Sequence, residues 1–375
     1  MATILEQAID WGTQLPSLSV SYAFVPAGLL NYPTPYGAVT TQYWTDYERD
    51  QTELAFDMIE NVCNLRFVQT DDLASSTLDL VNADFGAGGI LGAFAPPGEP
   101  DAGTGVFNYN GSGWDYATPG VGGLEQGGYG FITLIHEIGH GLGLAHPHDD
   151  GGGSPLFPGV TGPFGSYGDF NLNQGVYTTM SYNDGWRTAP HGLSPSQNYG
   201  YQGTMMAIDI AVLQAKYGAN MTYHAGDDTY VLPEVNQSGT FYSCIWDAGG
   251  SDRIAYLGSS ATTIDLRPAT LQVGVGGGGF ISYATGVHGG FTIAKGVVIE
   301  NASGGSGADV IVGNSAANDL RGNDGADRIR GALGDDTLFG GLAGDGLYGD
   351  GGDDRLFGDA GNDYLSGGMG LHWLR

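Results

Sequence analysis

The stretch HEIGHGLGLAH, residues 136–146, carries three histidines, and its reading decides what the surrounding chain has to do. His136 and His140 are four residues apart, which at about 100° per residue puts them on one face of a helix, some ~40° from each other. Two imidazoles so placed can share one metal ion, with Glu137 beside them. His146 lies six residues past His140, about 240° further round, so a continuous helix would point it away. The chain must therefore turn back before residue 146. Gly143 stands where that turn falls, since glycine accepts positive φ just past a helix end. A helix over about 129–142, stopped at Gly143, returns His146 as a third ligand. Three neutral imidazoles on Zn²⁺ leave a fourth position open, as catalytic zinc sites do.

H-E-x-x-H-x-x-G-x-x-H followed by a methionine turn is the pattern of the metzincin peptidases, and the turn is supplied by YTTMSYND around Met180. Pro147 directly after the third histidine, and Tyr182 two residues after Met180, resemble the serralysin branch. AIDIAVLQAKYGAN (207–220) and IENASGGSGADVIVGNSAAND (299–319) agree with it, and the resemblance runs from about residue 18 to about residue 366. It implies a secreted, extracellular zinc endopeptidase of broad specificity. His136, His140 and His146 would hold the zinc and Glu137 would be the general base. Tyr182 would be the tyrosine that can ligate the resting zinc and swing to the oxyanion, with Met180 as an apolar floor under the histidines. Pro147 and the repeats described next weigh against the matrixin and astacin branches.

From Gly304 onward the chain divides into eight nonads without a slip, from GGSGADVIV to GGMGLHWLR. Position 1 is always glycine and position 8 always aliphatic. Position 6 is Asp309, Asn318, Asp327, Asp336, Asp345, Asp354, Asp363 and finally His372. This G-G-x-G-x-D-x-U-x repeat (RTX) is a calcium-binding parallel β-roll pattern. Glycines permit the tight turns, the carboxylates and turn carbonyls offer hard oxygen ligands, and the aliphatic residue points inward. Two nonads make one turn, so eight give about four. Asp309, Asp327, Asp336, Asp345, Asp354 and Asp363 are the expected Ca²⁺ ligands, and the roll is expected to be loose without the ion. WDAGGSDRI (246–254) reads equally well as a degenerate forerunner, with Asp247 and Asp252 as ligands, or as a simple aspartate-stabilised turn.

The expected architecture is an α+β metzincin catalytic domain followed by an all-β parallel β-roll. An N-terminal segment occupies 1–16, the catalytic domain 17–222, a linking β-rich segment 223–303 and the roll 304–375. SLSVSYAFVP (17–26), LRFVQT (65–70), TLDLVNADF (77–85), ILGAFAPPG (90–98) and GVFNYN (105–110) read as strands. The proline pair suits an edge strand, against which an extended peptide could pair near Ala93–Pro96. Few bulky charges stand near it, which suits broad specificity. DYERDQTELAFDMIENVCN (46–64) and GTMMAIDIAVLQAKYG (203–218) read as helices. The stretch 149–203 shows little periodicity and reads as a long loop region, with His148 as a surface residue of it.

Composition narrows the partners. A net charge of −29 argues against nucleic acid and anionic membranes, and no stretch approaches the ~20 apolar residues of a membrane span. Residues 304–375 hold 12 Asp and 5 Arg, so calcium loops do not account for most of the acidity. Cys63 and Cys244 follow no metal or redox spacing and read as buried, unpaired residues. A monomer acting on protein or peptide substrates is expected, and the resemblance leaves room for a proteinaceous inhibitor. MATILEQAIDWGTQLPS has neither a basic region nor an apolar run of the Sec type. Family-type chains continue past the roll to an uncleaved export signal. Here the last nonad runs into GLHWLR, so that segment is expected to be missing and a propeptide absent or short. The alternative, a calcium-dependent binding or adhesion module with an inactive peptidase domain, would show a lost Glu or a lost ligand; the sequence keeps all four.

Overall fold

The computed structural model of the protein describes residues 2–375. Two compact units are formed. One comprises the chain up to Asn220 with 237–243 and 271–275; the other comprises 221–236, 244–270 and 276–375. Residues 223–303 are thus divided between them.

The first unit begins with α1 (Ile4–Gln7), one turn closed by a capping box in which Thr3 N–H donates to Glu6 Oε2 (2.6 Å) and Thr3 Oγ1 accepts from Glu6 N–H (3.4 Å). β1 (Ser19–Phe24) follows, with Val20, Tyr22 and Phe24 buried. α2 (Asp46–Val62) is capped the same way by Thr45 and Glu48, and buries Ala55, Phe56, Ile59 and Val62 on one stripe. β2 (Arg66–Gln69), β3 (Leu78–Ala83), β4 (Gly92–Phe94) and β5 (Thr104–Asn108) complete a sheet of order β2-β1-β3-β5-β4. All pairings are parallel except β4 with β5. Side chains alternate between faces: Val81, Ala83 and Val106 pack with Val25 on one side. On the other, Phe107 meets Trp44 and Trp114, ring centroids 5.8 Å from each.

Glu48 reaches beyond its own helix: Oε1 accepts Trp114 Nε1–H (2.8 Å) and Asn82 Nδ2–H (3.1 Å). A buried carboxylate is tolerated because donors surround it. α3 (Tyr129–Gly141) is buried all round from Gly130 to Gly141, which is why its sequence is apolar on every face apart from its histidines, Glu137 and Thr133. α4 (Ala207–Tyr217) closes at Gly218, φ 77°. Between α3 and α4, residues 149–203 form loops and two three-residue 3₁₀ turns. Cys63 and Cys244 are both buried, and no disulfide joins them. Among the described residues no helix is long and apolar enough to cross a membrane.

The second unit is mostly short parallel strands. Within the repeats each strand pairs with the one 18 residues on: Leu320 with Leu338, Leu338 with Leu356, Ile311 with Ile329, Ile329 with Leu347. Two aliphatic rows result, one per sheet, and Ile311, Leu320, Ile329, Leu338, Leu347 and Leu356 have no exposed surface. The rows fade at the far end, where Leu374 is 47% exposed.

Candidate metal centre and adjoining cavity

α3 ends in a Schellman turn. Leu144 N–H donates to Gly139 O (2.9 Å) and Gly143 N–H to His140 O (2.8 Å). Gly143 has φ +88°, and a Cβ there would lie 2.2 Å from Thr13 O, so both conformation and space demand glycine. The turn is strapped from outside. Trp11 N–H donates to Gly143 O (3.0 Å) and Ala145 N–H to Ile9 O (2.9 Å). Lys216 pairs with Asp10, and Tyr217 OH donates to Leu142 O (2.9 Å).

The result brings the three histidines together. His146 Nε2 lies 3.1 Å from His136 Nε2 and 2.9 Å from His140 Nε2. Each ring's other nitrogen faces a group that can only accept: Thr179 O (2.9 Å) for His136, Leu144 O (2.9 Å) for His140 and Asp149 Oδ2 (2.6 Å) for His146. Each Nδ1 therefore carries its proton, and three Nε2 lone pairs converge on one point. Burial holds all three imidazoles neutral: it lowers His136 to about 4 and His140 well below its ordinary value, with the neighbouring imidazoles adding to the shift at His140. His146 falls to about 2 from burial and the neighbouring His136 and His148. Converging acceptors without a donor between them repel, and a cation resolves the arrangement; His136, His140 and His146 fit a metal ion.

Glu137 lines a cavity beside this point. Burial raises its carboxyl to about 8, partly offset by the Phe94 N–H, and its Oε2 finds no hydrogen-bond partner among the described residues. Tyr182 shares the cavity, its ring 4.7 Å from that of His146 and 5.6 Å from that of His136. Burial pushes its hydroxyl well above the ordinary tyrosine value. Met180 is fully buried below: a Cβ on Gly139 would stand 2.9 Å from its Sδ. Its turn is tied to α4 by Asp209, whose carboxylate accepts from Thr178 Oγ1, Thr179 N and Met206 N (2.6, 2.6 and 2.9 Å). Asp209 thereby fixes the carbonyl that holds His136.

Sequence reading missed Asp149 and Asp209, and it placed His148 on the surface. That placement is corrected: His148 is half-buried, its ring stacked on His146 at 4.7 Å and tilted against Tyr182 at 4.6 Å. The loop after Pro147 folds back over the site, which no periodicity reports. Asp184, also unsuspected, lines the cavity; burial raises its carboxyl to about 6, opposed by Arg187 and a hydrogen bond with Gln202.

In the second unit the repeat aspartates form rows. Oδ1 of Asp327, Asp336, Asp345, Asp354 and Asp363 each accepts the backbone N–H of the residue 18 before it, at 2.8–3.1 Å. Oδ2 of Asp327, Asp336 and Asp345 is buried with no hydrogen-bond partner among the described residues, and that of Asp354 has only His372 Nδ1 at 3.4 Å, a donor set that fits Ca²⁺. Asp309 differs: Thr262 N and Oγ1 and Gly305 N satisfy both its oxygens. The forerunner divides similarly. Asp247 is occupied by Gly249 N–H and Tyr230 OH (2.8 and 2.6 Å), whereas the fully buried Asp252 keeps Oδ2 unpartnered.

Comparison with known proteins agrees in both halves. The family described as Peptidase M10 serralysin C terminal matches residues 214–364. Metalloprotease AprA of Pseudomonas entomophila is 32% identical over 313 residues, 80% of this chain and 59% of its own length. Serralysin C of Dickeya chrysanthemi is 35% identical over 235 residues (59% and 42%), and serralysin of Proteus mirabilis 35% over 218 residues (55% and 40%). The chain is thus similar to metalloproteases. Among them, the likeness is to the serralysin type. The chain spans between about two fifths and three fifths of the length of these relatives.

Proposed function

We propose that this chain is a secreted zinc endopeptidase that cleaves extracellular proteins, with a metzincin-type catalytic region over 17–222 and a calcium-bound RTX roll over 304–375. The observation that carries the reading is the convergence of three Nε2 acceptors beside a cavity lined by His136 and by Glu137, one of whose oxygens is unpartnered. His136, His140 and His146 would hold the zinc. When bound, the ion supplies Lewis acidity toward the scissile carbonyl and brings the pKa of water toward neutrality.

The chain's own groups do the rest. β4 lies at the edge of its sheet with β5 on one side only, so an extended peptide can add there as a further strand. Glu137 accepts the proton of the attacking water through Oε2 and passes it to the leaving amine. Burial, partly offset by the Phe94 N–H, raises its carboxyl to about 8, and a bound cation would bring it back toward neutrality, where a base exchanges protons in both directions. Tyr182 keeps its hydroxyl proton because burial disfavours the phenolate, and donates it as a hydrogen bond to the developing oxyanion. Met180 packs beneath α3 and sets the height of the histidines. Asp327, Asp336, Asp345, Asp354 and Asp363 would hold calcium. The enzyme would act as a monomer, with no nucleic-acid or membrane partner, and a proteinaceous inhibitor could occupy the same edge.

The test is casein cleavage by the 375-residue chain in millimolar calcium, with and without a zinc chelator. Chelator-sensitive cleavage is expected, and Glu137→Gln should keep the metal while losing turnover by about 10²- to 10⁴-fold. Absence of cleavage with both metals bound would refute the peptidase reading in favour of a binding module.

A further inference from the structure

The cavity beside Glu137 has walls of unlike stiffness. Ile132 and Thr133 line it from α3, a helix buried from Gly130 to its end. Gly89, Ile90 and Leu91 line it from the segment that enters β4, and residues 84–91 form neither strand nor helix. Three of the six residues 86–91 are glycine, the residue with the most conformational freedom to lose. Inside the segment Gly89 N–H donates to Gly86 O (3.0 Å), and one such bond does not fix six residues. What holds it is Asn108, which ends β5 and is fully buried. Its Nδ2 donates to Gly86 O (3.0 Å) and Ile90 O (2.8 Å), and its Oδ1 accepts from Phe85 N–H and Asn110 N–H, at 3.2 Å each. Its backbone N–H donates to Leu91 O (2.9 Å). An asparagine side chain has two donors and two acceptor sites, and here all four are used. Both ends of the glycine run are thereby tied to one buried residue of the sheet.

We propose that Asn108 is a positioning residue that sets the enzyme's preference for the size of one substrate side chain, by holding Ile90 and Leu91 in the wall of the cavity that receives it. The proposal rests on the peptidase reading above. β4 begins directly after Leu91, so a peptide lying along that edge brings one of its side chains to this cavity. A cavity separates a large apolar side chain from a small one only while its walls keep their distance. The gain comes from apolar surface buried and atoms packed, and a yielding wall supplies neither. α3 keeps its place by its own burial. The glycine segment keeps its place through Asn108, so that is where selectivity is set. Asn108 itself is sealed from the cavity and acts through Ile90 and Leu91. Selectivity at this one position is compatible with broad acceptance elsewhere, because an edge strand binds peptide backbone whatever its sequence.

The experiment uses the full chain loaded with zinc and calcium. It takes pairs of short peptides that differ only by leucine or alanine, moved in turn through the positions on either side of the cleaved bond. At one position leucine should be preferred in kcat/KM by about tenfold or more. Asn108→Ser removes the amide, and Asn108→Asp keeps its shape but sets an acceptor against the carbonyls of Gly86 and Ile90. Each should bring the ratio to within a few-fold of one. The ratio compares two substrates on the same molecules, so a general loss of folded or zinc-loaded protein does not move it. A ratio kept in both variants overturns the role of Asn108. Casein cleaved with a ratio near one at every position in the parent overturns the subsite and leaves the peptidase reading standing. If neither variant folds, the parent decides by nuclear magnetic resonance: the Asn108 side-chain amide protons should exchange with solvent about a hundredfold more slowly than those of exposed asparagines, and equal exchange overturns the network. If neither casein nor any peptide is cleaved with zinc bound, the peptidase reading fails and this proposal falls with it.

Discussion

Replacing Gly143 by alanine tests whether the turn after α3 is what delivers the third histidine. Two costs can be worked out. Alanine at φ +88° sits in the left-handed region, at about 1–2 kcal/mol. Its Cβ would also stand 2.2 Å from Thr13 O, so the strap must move outward by roughly 1 Å to restore van der Waals contact. That shift strains the Trp11–Gly143 and Ile9–Ala145 backbone hydrogen bonds, now 3.0 and 2.9 Å, each worth about 0.5–1.5 kcal/mol. The sum is about 2–5 kcal/mol. For a unit of this size that lowers Tm by roughly 5–15 °C. Because His146 is three residues on, zinc affinity should fall as well. Differential scanning calorimetry and titration against a competing chelator measure the two effects. Gly143→Asn separates them, since asparagine tolerates positive φ but keeps the collision. A Tm within about 1 °C of the parent, with unchanged zinc affinity, would refute the argument that conformation and space both require glycine here.

Three further outcomes are expected. Asp149→Asn removes the carboxylate that orients His146, and zinc affinity should drop about 10- to 100-fold; an unchanged chelator titration would mean that Asp149 is incidental. Tyr182→Phe should lower kcat about a hundredfold with little change in KM, and an equal kcat would remove the hydroxyl from the mechanism. Burial first, then neighbouring carboxylates, raises Asp327 and Asp336 to about 7 from an ordinary 3.8. The folded roll therefore binds more protons than the unfolded chain between about pH 4 and 7, and its stability falls as pH rises through that window. Calcium-free protein should show more roll structure by circular dichroism at pH 5 than at pH 8, with calcium restoring it at pH 8. A pH-independent spectrum would contradict the buried-carboxylate account.

What could be read in advance was what repeats or lies close in sequence. His136, His140 and Glu137 share a helix face, and Gly143 marks its end, so spacing alone placed them. The nonads revealed the 18-residue pairing because position 8 never loses its aliphatic residue. What lay hidden depends on chain return. Asp209 reaches the His136 carbonyl partner from another helix, Asp149 and His148 come back over the site on an aperiodic loop, and Asp184 joins α3 across the cavity. Glu48 reads as a capping residue and only the fold adds its bonds to Trp114 and Asn82. Asp309 reads like its sister aspartates, yet the strand before the repeats supplies Thr262 to satisfy it. Local pattern names the elements; the neighbours across loops are set by tertiary packing, which leaves no period behind.

The 18-residue pairing in the second unit has a consequence for how its length can change. Ile311, Ile329, Leu347 and Leu365 build one sheet while Leu320, Leu338, Leu356 and Leu374 build the other. Deleting nine residues would preserve every local motif and still transfer each later strand to the opposite sheet, so that the last strand ends on the wrong side. Deleting 18 would return each survivor to its own sheet, one layer nearer the start. The solenoid is thus spelled in nonads but gains or loses length by parity, in whole coils.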